Sequence, residues 1–340
     1  MAPLRILDQT GYECLQSKGG EVIDDFILRG ERVPFDNSGK GEYRDIDFSL
    51  KHNRDYHYPR IKKTICDFGE FRDKTVIIAC PGTSLSRLEN FAIDESKVKV
   101  LAINAAARYA RPHAIYMSER HAKINWVKGP DGNMVDWVPD IPVITCPDAS
   151  TWIADMWPDE KRYYEIMHWG EVKQDPRACK YIDAGAGVFA LVLSPVMATH
   201  AAVKMGAKKI IYVGMDFSMD QAGNYYPGEN CRNHPNNYGH GAAQCLGIRG
   251  SGIWAVHPIL ENHASIMESV CYWVERTARI PCINASAGGI FGWRPMSLRE
   301  AIDGQHEPIV DFKSGEIHEA KSTPNDAQGN VRGEVEGSRV

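Results

Sequence analysis

Residues Lys74–Leu85 read KTVIIACPGTSL, an apolar run that stops at a turn of small residues. The four apolar residues from Val76 to Ala79 predict a buried parallel strand, and the turn after them predicts a helix beginning near Ser84. In an open α/β sheet, ligands bind beyond the carboxyl ends of the strands, where a helix N-terminus offers N–H groups to a phosphate. The stretch therefore predicts a nucleotide- or phosphate-handling enzyme, but an ordinary strand-to-helix turn of any α/β protein fits it equally well.

The same strand–helix rhythm continues along the chain. Ser194-Pro195 predicts a helix start in which serine caps free amides, and Gly206 predicts the end of that helix. Two more helices are predicted, at 257–279 and 297–302. Strands alternating with helices favour an α/β fold with a mostly parallel sheet flanked by helices. Further strands are predicted at Val98–Asn104, Ala114–Ser118, Ile141–Cys146, Lys208–Phe217 and Ile280–Asn284.

Composition divides the chain into three parts. Residues 1–70 are polar and irregular and predict an N-terminal extension, and residues 305–340 predict a polar tail. Between them, the strand–helix rhythm and its phosphate-type turn predict a nucleotide-binding catalytic domain over residues 71–304. Within the domain, residues 218–256 are rich in Gly, Asn, Tyr, His and Pro. A loop of this length predicts a functional lid.

Charge and cysteine content narrow the class of protein. The 340 residues carry a net charge of −5, which does not favour general nucleic-acid binding, because such binding calls for a basic excess. No apolar run reaches the roughly 18 residues that a membrane helix needs, so no membrane span is expected. The nine scattered cysteines predict reduced thiols and a cytoplasmic setting.

Polar side chains follow several predicted strands. Asn104 can contact a base or ribose, or cap the Ala-rich helix after it. Asp216 can orient a ribose, act as a general base, bind Mg²⁺ or fix the next loop. At the last strand, Asn284 and Ser286 can grip a base or phosphate, and Gly288 allows a close approach of ligand to backbone, unless the glycines only reverse the chain.

The predicted lid and the helix after it carry further candidates. His257 begins that helix and can serve as a general base for a hydroxyl, since an imidazole group ordinarily titrates near working pH. Tyr225 and Tyr226 can donate to phosphate oxygens. A structural zinc site within the lid is the less favoured interpretation, because the spacing matches no standard finger; it would use Cys231, His234, His240 and Cys245.

Three segments together resemble a group of Rossmann-like enzymes. Residues 78–85, IACPGTSL, are similar to the G-x-G-P-S-L loop of that group. Residues 194–217 resemble its S-x-V…A…LG…I…G-x-D-F unit, and residues 283–298 resemble its iNaT-GG…G…L ending. The group comprises bacterial lipooligosaccharide sialyltransferases, motility-associated-factor glycosyltransferases and 6-hydroxymethylpterin diphosphokinase-like proteins. Cys80, Pro81 and Pro195 depart from the pattern.

The resemblance implies that a nucleotide lies across the strand ends, touching Gly82, Thr83, Ser84, Asn104 and Ser194, with Tyr225 or Tyr226 on the phosphate. It also implies that His257 takes the place of the catalytic base. The expected activity is glycosyl transfer from a CMP- or UDP-type donor to a hydroxyl of a glycan, protein or modified base, with no cofactor required. The alternatives are a diphosphokinase with Mg²⁺ held through Asp216 and a non-catalytic nucleotide-binding protein. The sequence is compatible with a homo-oligomer and does not define the oligomeric state.

Overall fold

The computed structural model describes residues 26–28, 31–33, 52–88, 91–118, 140–167, 175–188, 193–219, 224–226, 229–230, 243–246, 253–256 and 258–308. Its centre is a sheet of seven strands, each paired in parallel with its neighbours. The predicted α/β class, with its mostly parallel sheet flanked by helices, is confirmed, and the arrangement is Rossmann-like. The strands are β1 (Thr75–Ala79), β2 (Val98–Ile103), β3 (Ala114–Met117), β4 (Val143–Thr145), β5 (Arg162–Tyr164), β6 (Lys209–Val213) and β7 (Cys282–Asn284).

The strand order places two distant loops side by side. Across the sheet the order is β7-β6-β1-β2-β3-β4-β5, so the chain runs outward from β1 to β5 and then returns to the other side of β1 as β6. The direction of winding therefore reverses between β1 and β6. In open α/β sheets, the crevice beyond the carboxyl ends at such a reversal is where ligands bind.

Helices cover this sheet. The helix Ser194–Lys204 packs on β1, β2 and β3 and on the helix Pro258–Ala278, which in turn contacts β7. Gly206, at φ +86°, follows the first helix as predicted, in the left-handed conformation that glycine favours. The other helical segments are 52–57, Tyr58–Arg60, Ile65–Asp67, Thr83–Leu88, Asn104–Arg108, Thr151–Met156, Asp159–Lys161, Pro176–Tyr181, Ile182–Ala186 and Leu298–Asp303.

One apolar core joins the sheet to its helices. Every residue of β1, β3, β4 and β6 is buried, as expected for strands covered on both faces. Tyr58, Ile65 and Phe68 belong to the same core, so residues 58–68 pack on this domain. The predicted division at residues 70 and 304 stays a prediction.

The helix predicted to begin near Ser84 is confirmed as the short 3-10 helix Thr83–Leu88. Two other local elements differ from the prediction. β5 was not predicted, because its Arg162 and two tyrosines do not form an apolar run. The predicted lid is not without structure, since it contains two antiparallel pairs. They join Asn224–Tyr226 to Glu229–Asn230 and Ala243–Leu246 to Ile253–Val256.

Three smaller features complete the description. Phe26–Leu28 pairs antiparallel with Glu31–Val33, and Ile166–Met167 pairs in parallel with Gly187–Val188. Among the described residues, no helix combines the length and the apolar character needed to cross a membrane.

Candidate functional site

The loops that follow β1 and β6 bond directly to each other. The Cys80 amide donates to the Val213 carbonyl at 2.8 Å, and the Gly82 amide donates to the Gly214 carbonyl, also at 2.8 Å. A Cβ at Gly82 would lie 2.3 Å from the Gly214 oxygen and 2.6 Å from Asp216 Oδ2. Glycine is therefore required at position 82 by this backbone contact, whether or not a ligand binds there.

Asp216 holds the β1 loop in place. Its Oδ2 accepts the Ser84 amide at 2.8 Å and the Thr83 hydroxyl at 3.3 Å, and its Oδ1 accepts the Ser84 hydroxyl at 2.5 Å. The side chain is almost fully buried, with 1% of the residue exposed. Hydrogen bonds from N–H and O–H groups are what a buried carboxylate needs. These contacts make Asp216 a positioning residue for residues 82–84.

The glycine-rich turn after β7 packs against the same point. The Ser286 hydroxyl accepts the Met215 amide at 2.9 Å, and the Ile290 amide donates to the Asp216 carbonyl at 2.9 Å. Gly289 has φ +81°, and a Cβ there would lie 2.1 Å from that carbonyl oxygen. The turns after β1, β6 and β7 thus form one connected unit.

Asn284 and Gly288 are interior parts of this unit. The Asn284 side chain accepts the Ser286 amide at 2.9 Å and donates to the Phe291 carbonyl. Gly288 is buried in the same turn. Both residues therefore shape the turn from within.

Asn104 and Ser194 lie at the same edge of the sheet, beyond β2 and β3. Asn104 follows β2 directly, and β2 pairs with β1. The Ser194 hydroxyl is 3.3 Å from the Ser118 hydroxyl, and Ser118 follows β3. The predicted cap at Ser194 is wrong: Leu193 is the N-cap residue of that helix, and no side chain caps it.

Burial divides the predicted binding residues into two sets. Gly82, Thr83, Asn104 and Ser194 are partly exposed, so a ligand can touch them. The other described candidates are buried and can only position their neighbours; they are Ser84, Asp216, Asn284, Ser286 and Gly288. This distinction was not available from the spacing of the motifs.

Left-handed backbone occurs at this edge of the sheet, and also at the opposite edge, at Asp73 and Arg279. Four residues just beyond β2, β6 and β7 have positive φ: Asn104 at 51°, Gly214 at 71°, Phe217 at 48° and Gly289 at 81°. A left-handed phenylalanine is a conformational outlier, and such outliers cluster at functional sites. The Phe217 ring lies 6.4 Å from the ring of His263, which places that histidine beside the unit.

Cys80, which departs from the family pattern, is a buried residue beside Asp216. Burial raises the pKa of its thiol, and the nearby Asp216 carboxylate raises it further. The thiol is therefore protonated at neutral pH and is not suited to act as a nucleophile.

Several predicted residues lie outside this description. His257, Cys231, His234 and His240 are not among the described residues. Tyr225, Tyr226 and Cys245 lie in strands whose side chains are not described. Among the described residues, no three His, Cys, Asp or Glu side chains are grouped to hold a metal.

Three residues near this edge were missed. Tyr116 lies in β3, Ser118 follows β3 and Glu165 follows β5, and hydrogen bonds join the three side chains into a second polar cluster. The sequence offers one signal, because Glu165 directly follows the short run Arg162–Tyr164. That signal can be used only once β5 is predicted.

Two comparisons with known proteins gave no match. No protein-family model matches this sequence, and no curated protein matches it. The resemblance to Rossmann-like glycosyltransferases therefore stays a prediction that rests on the three segments.

Proposed function

We propose that this protein transfers a glycosyl group from a nucleotide-activated sugar, of the CMP or UDP type, to a hydroxyl. The observation that carries the proposal is the row of partly exposed Gly82, Thr83, Asn104 and Ser194 beside the carboxyl ends of β1, β2 and β3. Neighbouring strands lie about 4.8 Å apart, so this row extends over about 10 Å, a distance that a nucleotide can bridge.

The rigid backing of this row suits charge that develops during transfer. Asp216 and Ser286 fix the turns from behind by hydrogen bonds that need no rearrangement when a nucleotide departs. Preorganised donors stabilise a leaving phosphate more in the transition state than in the ground state. Hydroxyls of Thr83 and Ser194, with Tyr225 or Tyr226 from the lid, are the proposed donors.

In the proposed reaction, His257 takes the proton of the acceptor hydroxyl as that oxygen attacks the anomeric carbon. The bond from this carbon to the phosphate oxygen breaks, and the nucleotide leaves. Changing His257 to Ala is expected to abolish turnover while nucleotide binding persists. Activity that survives this change would move the base elsewhere, with His263 the next candidate because its ring lies beside Phe217.

The buried setting of Asp216 favours glycosyl transfer over the diphosphokinase alternative. Both carboxylate oxygens already accept hydrogen bonds from residues 83 and 84, and the residue is 1% exposed. A Mg²⁺ ion held through Asp216 would have to displace these bonds. A hydroxyl-based site at the partly exposed row needs no such change.

A binding screen followed by a turnover assay tests the proposal. Thermal unfolding is measured with CMP, UDP, GDP and ATP, each with Mg²⁺ or with EDTA, because a ligand that binds only the folded state raises its stability. Release of nucleotide from CMP- and UDP-sugars is then followed. We expect stabilisation by CMP or UDP and release in EDTA. Consumption of ATP that depends on Mg²⁺ would indicate the diphosphokinase, and binding without turnover would indicate a non-catalytic protein.

A further inference from the structure

Glu165 is a buried acid that directly follows β5, at the carboxyl edge of the sheet. β4 lies between β5 and β3. Glu165 and Tyr116 are both fully buried, and the Tyr116 hydroxyl is hydrogen-bonded to Glu165 Oε1. The Glu165 amide donates to the Thr145 carbonyl at 2.9 Å, which fixes the backbone of this residue beside β4. Within the described part of the chain, Glu165 Oε2 has no hydrogen-bond partner.

The surroundings keep this carboxyl protonated at neutral pH. Burial raises the pKa of Glu165 to about 8, and the hydrogen bond from Tyr116 opposes only part of that rise. Burial also raises the pKa of Tyr116, with Glu165 and the Cys146 thiol beyond β4 as further causes. In the described chain, no charged side chain from a neighbouring element is among the causes for Glu165. A carboxylic acid held neutral in this way can act as a proton donor.

A chain of hydroxyls leads from this acid to the partly exposed row. Tyr116 and Ser118 are two residues apart at the end of β3, so their side chains share one face, and a hydrogen bond from Ser118 acts on the Tyr116 phenol. The Ser118 hydroxyl is 3.3 Å from that of Ser194. Ser194 is partly exposed, and its side chain does not cap its own helix.

We propose that Glu165, Tyr116, Ser118 and Ser194 form a proton relay that joins a buried acid to the nucleotide end of the site. The hydrogen-bonded chain of these four residues does not depend on the proposed function. Its use in catalysis does rest on that function, in which the relay supplies a proton to the departing nucleotide phosphate. Glu165 is then a positioning and proton-storing residue that acts through Ser194.

The relay balances one proton. As the bond between the anomeric carbon and the phosphate oxygen breaks, the Ser194 hydroxyl gives its proton to that oxygen. Ser194 receives the proton of Ser118, Ser118 receives that of Tyr116, and Tyr116 receives that of Glu165. The transfer reverses the direction of each hydrogen bond, so that afterwards Ser118 donates to Tyr116 and Tyr116 donates to the Glu165 carboxylate. Glu165 ends as a carboxylate, while the general base holds the acceptor's proton. Return of a proton from solvent restores the starting state, and no oxidant, reductant or metal is consumed.

The first test measures the Glu165 proton without any substrate. The free energy of unfolding is determined from pH 4 to 10 for the wild-type protein and Glu165→Gln. The folded state binds the extra proton, so the wild-type protein should lose stability relative to the variant as pH rises from about 4.5 toward 8. Tyr116→Phe should move the upper end of this window upward by about 1 pH unit, because the carboxylate loses a donor.

Ser194→Ala tests the connection to the surface. This substitution should move the upper pH limit of the Glu165 window upward by roughly 0.3 of a pH unit, because each hydrogen bond in a chain strengthens the next. Tyr212→Phe, which removes another buried phenol, and Ser269→Ala, which removes another half-buried helix serine, should leave it unchanged. The relay is overturned if Tyr116→Phe and Ser194→Ala leave the window at its wild-type position.

The second test separates the relay from the proposed function. With a CMP- or UDP-sugar that is turned over, the wild-type turnover rate should fall as pH rises above about 8. Glu165→Gln should turn over about 100-fold more slowly, and its rate should no longer show this fall at high pH. Full turnover by Glu165→Gln with the limb retained would end the catalytic role and leave glycosyl transfer standing. If no nucleotide sugar is consumed by the wild-type protein, the proposed transfer and the catalytic use of the relay both fail, and the relay is decided by the pH window alone.

Discussion

Gly82 occupies a position where a single added carbon has no space. A Cβ there would lie within 3 Å of both the Gly214 carbonyl and the Asp216 carboxylate. Gly82→Ala should therefore lower the free energy of unfolding by about 3 kcal/mol, because backbone and a buried charge must both move. Gly69→Ala is the control, since nothing lies within 4 Å of its added carbon. Urea unfolding measures both, and equal stability of the two variants would contradict the contact between the loops.

His57 is a buried histidine that carries no charge at neutral pH. Its Nδ1 is 3.0 Å from the Tyr164 hydroxyl and its Nε2 is 3.0 Å from the Ala149 carbonyl, so Nε2 carries the proton and donates to that carbonyl. Burial lowers the pKa of His57 from its ordinary 6.5 to about 4. The imidazole therefore ties residues 52–60 to the loop after β4 as a neutral group.

This histidine predicts a loss of stability in mild acid. Between pH 6.5 and 4 the unfolded chain binds a proton that the folded protein does not, so the contribution of His57 to stability falls as pH falls, by up to about 3 kcal/mol, while Glu165 contributes in the opposite direction. The wild-type protein should therefore lose stability relative to His57→Gln as pH falls through this window, whereas the exposed His52→Gln should retain the wild-type slope. A wild-type slope in His57→Gln would show that another group titrates.

The helix Leu298–Asp303 is held at both ends by identifiable side chains. Ser297 and Glu300 form a capping box at its start. At its end the buried Lys209 ammonium, from β6, donates to the carbonyls of residues 301, 302 and 304 at 2.6, 3.0 and 3.1 Å. A cation that bonds to the last carbonyls also complements the negative end of the helix.

Lys209→Met should release this helix end. The loss is expected to be about 2 kcal/mol, because hydrogen bonds to a charged group disappear and buried carbonyls are left without a donor. Lys208→Met, at the exposed neighbouring position, should change stability by less than about 0.5 kcal/mol. Chemical denaturation compares the two, and a Lys209→Met protein as stable as Lys208→Met would contradict the cap.

Elements with a strong local pattern were predictable, and those set by distant contacts were not. β1 and β6 are continuous apolar runs, so their position follows from the sequence alone. β5 begins with Arg162, which is 4% exposed because its guanidinium donates to the Trp157 carbonyl at 2.9 Å. Such a buried cation cannot be recognised from periodicity, so the strand was missed.

At the scale of the whole molecule, the sheet topology brings together residues that the sequence keeps apart. Ser84 and Asp216 are 132 residues apart and hydrogen-bonded. That the strand ends would meet was predictable, because parallel strands share one carboxyl edge. Two other features depend on side-chain packing across several strands and were not predictable. The β1 loop occupies both carboxylate oxygens of Asp216. Ser194 pairs with Ser118 and does not cap its own helix.

The central claim is that a nucleotide binds at the carboxyl edge of the sheet, along β1, β2 and β3. Amide hydrogen exchange of the full chain, with and without CMP or UDP, tests it most directly. We expect bound nucleotide to slow exchange in residues 81–85, 104–106 and 193–196. Slowed exchange confined to the opposite edge, at residues 73–75, 97–98 and 207–209, or no change with either nucleotide at saturating concentration, would contradict it.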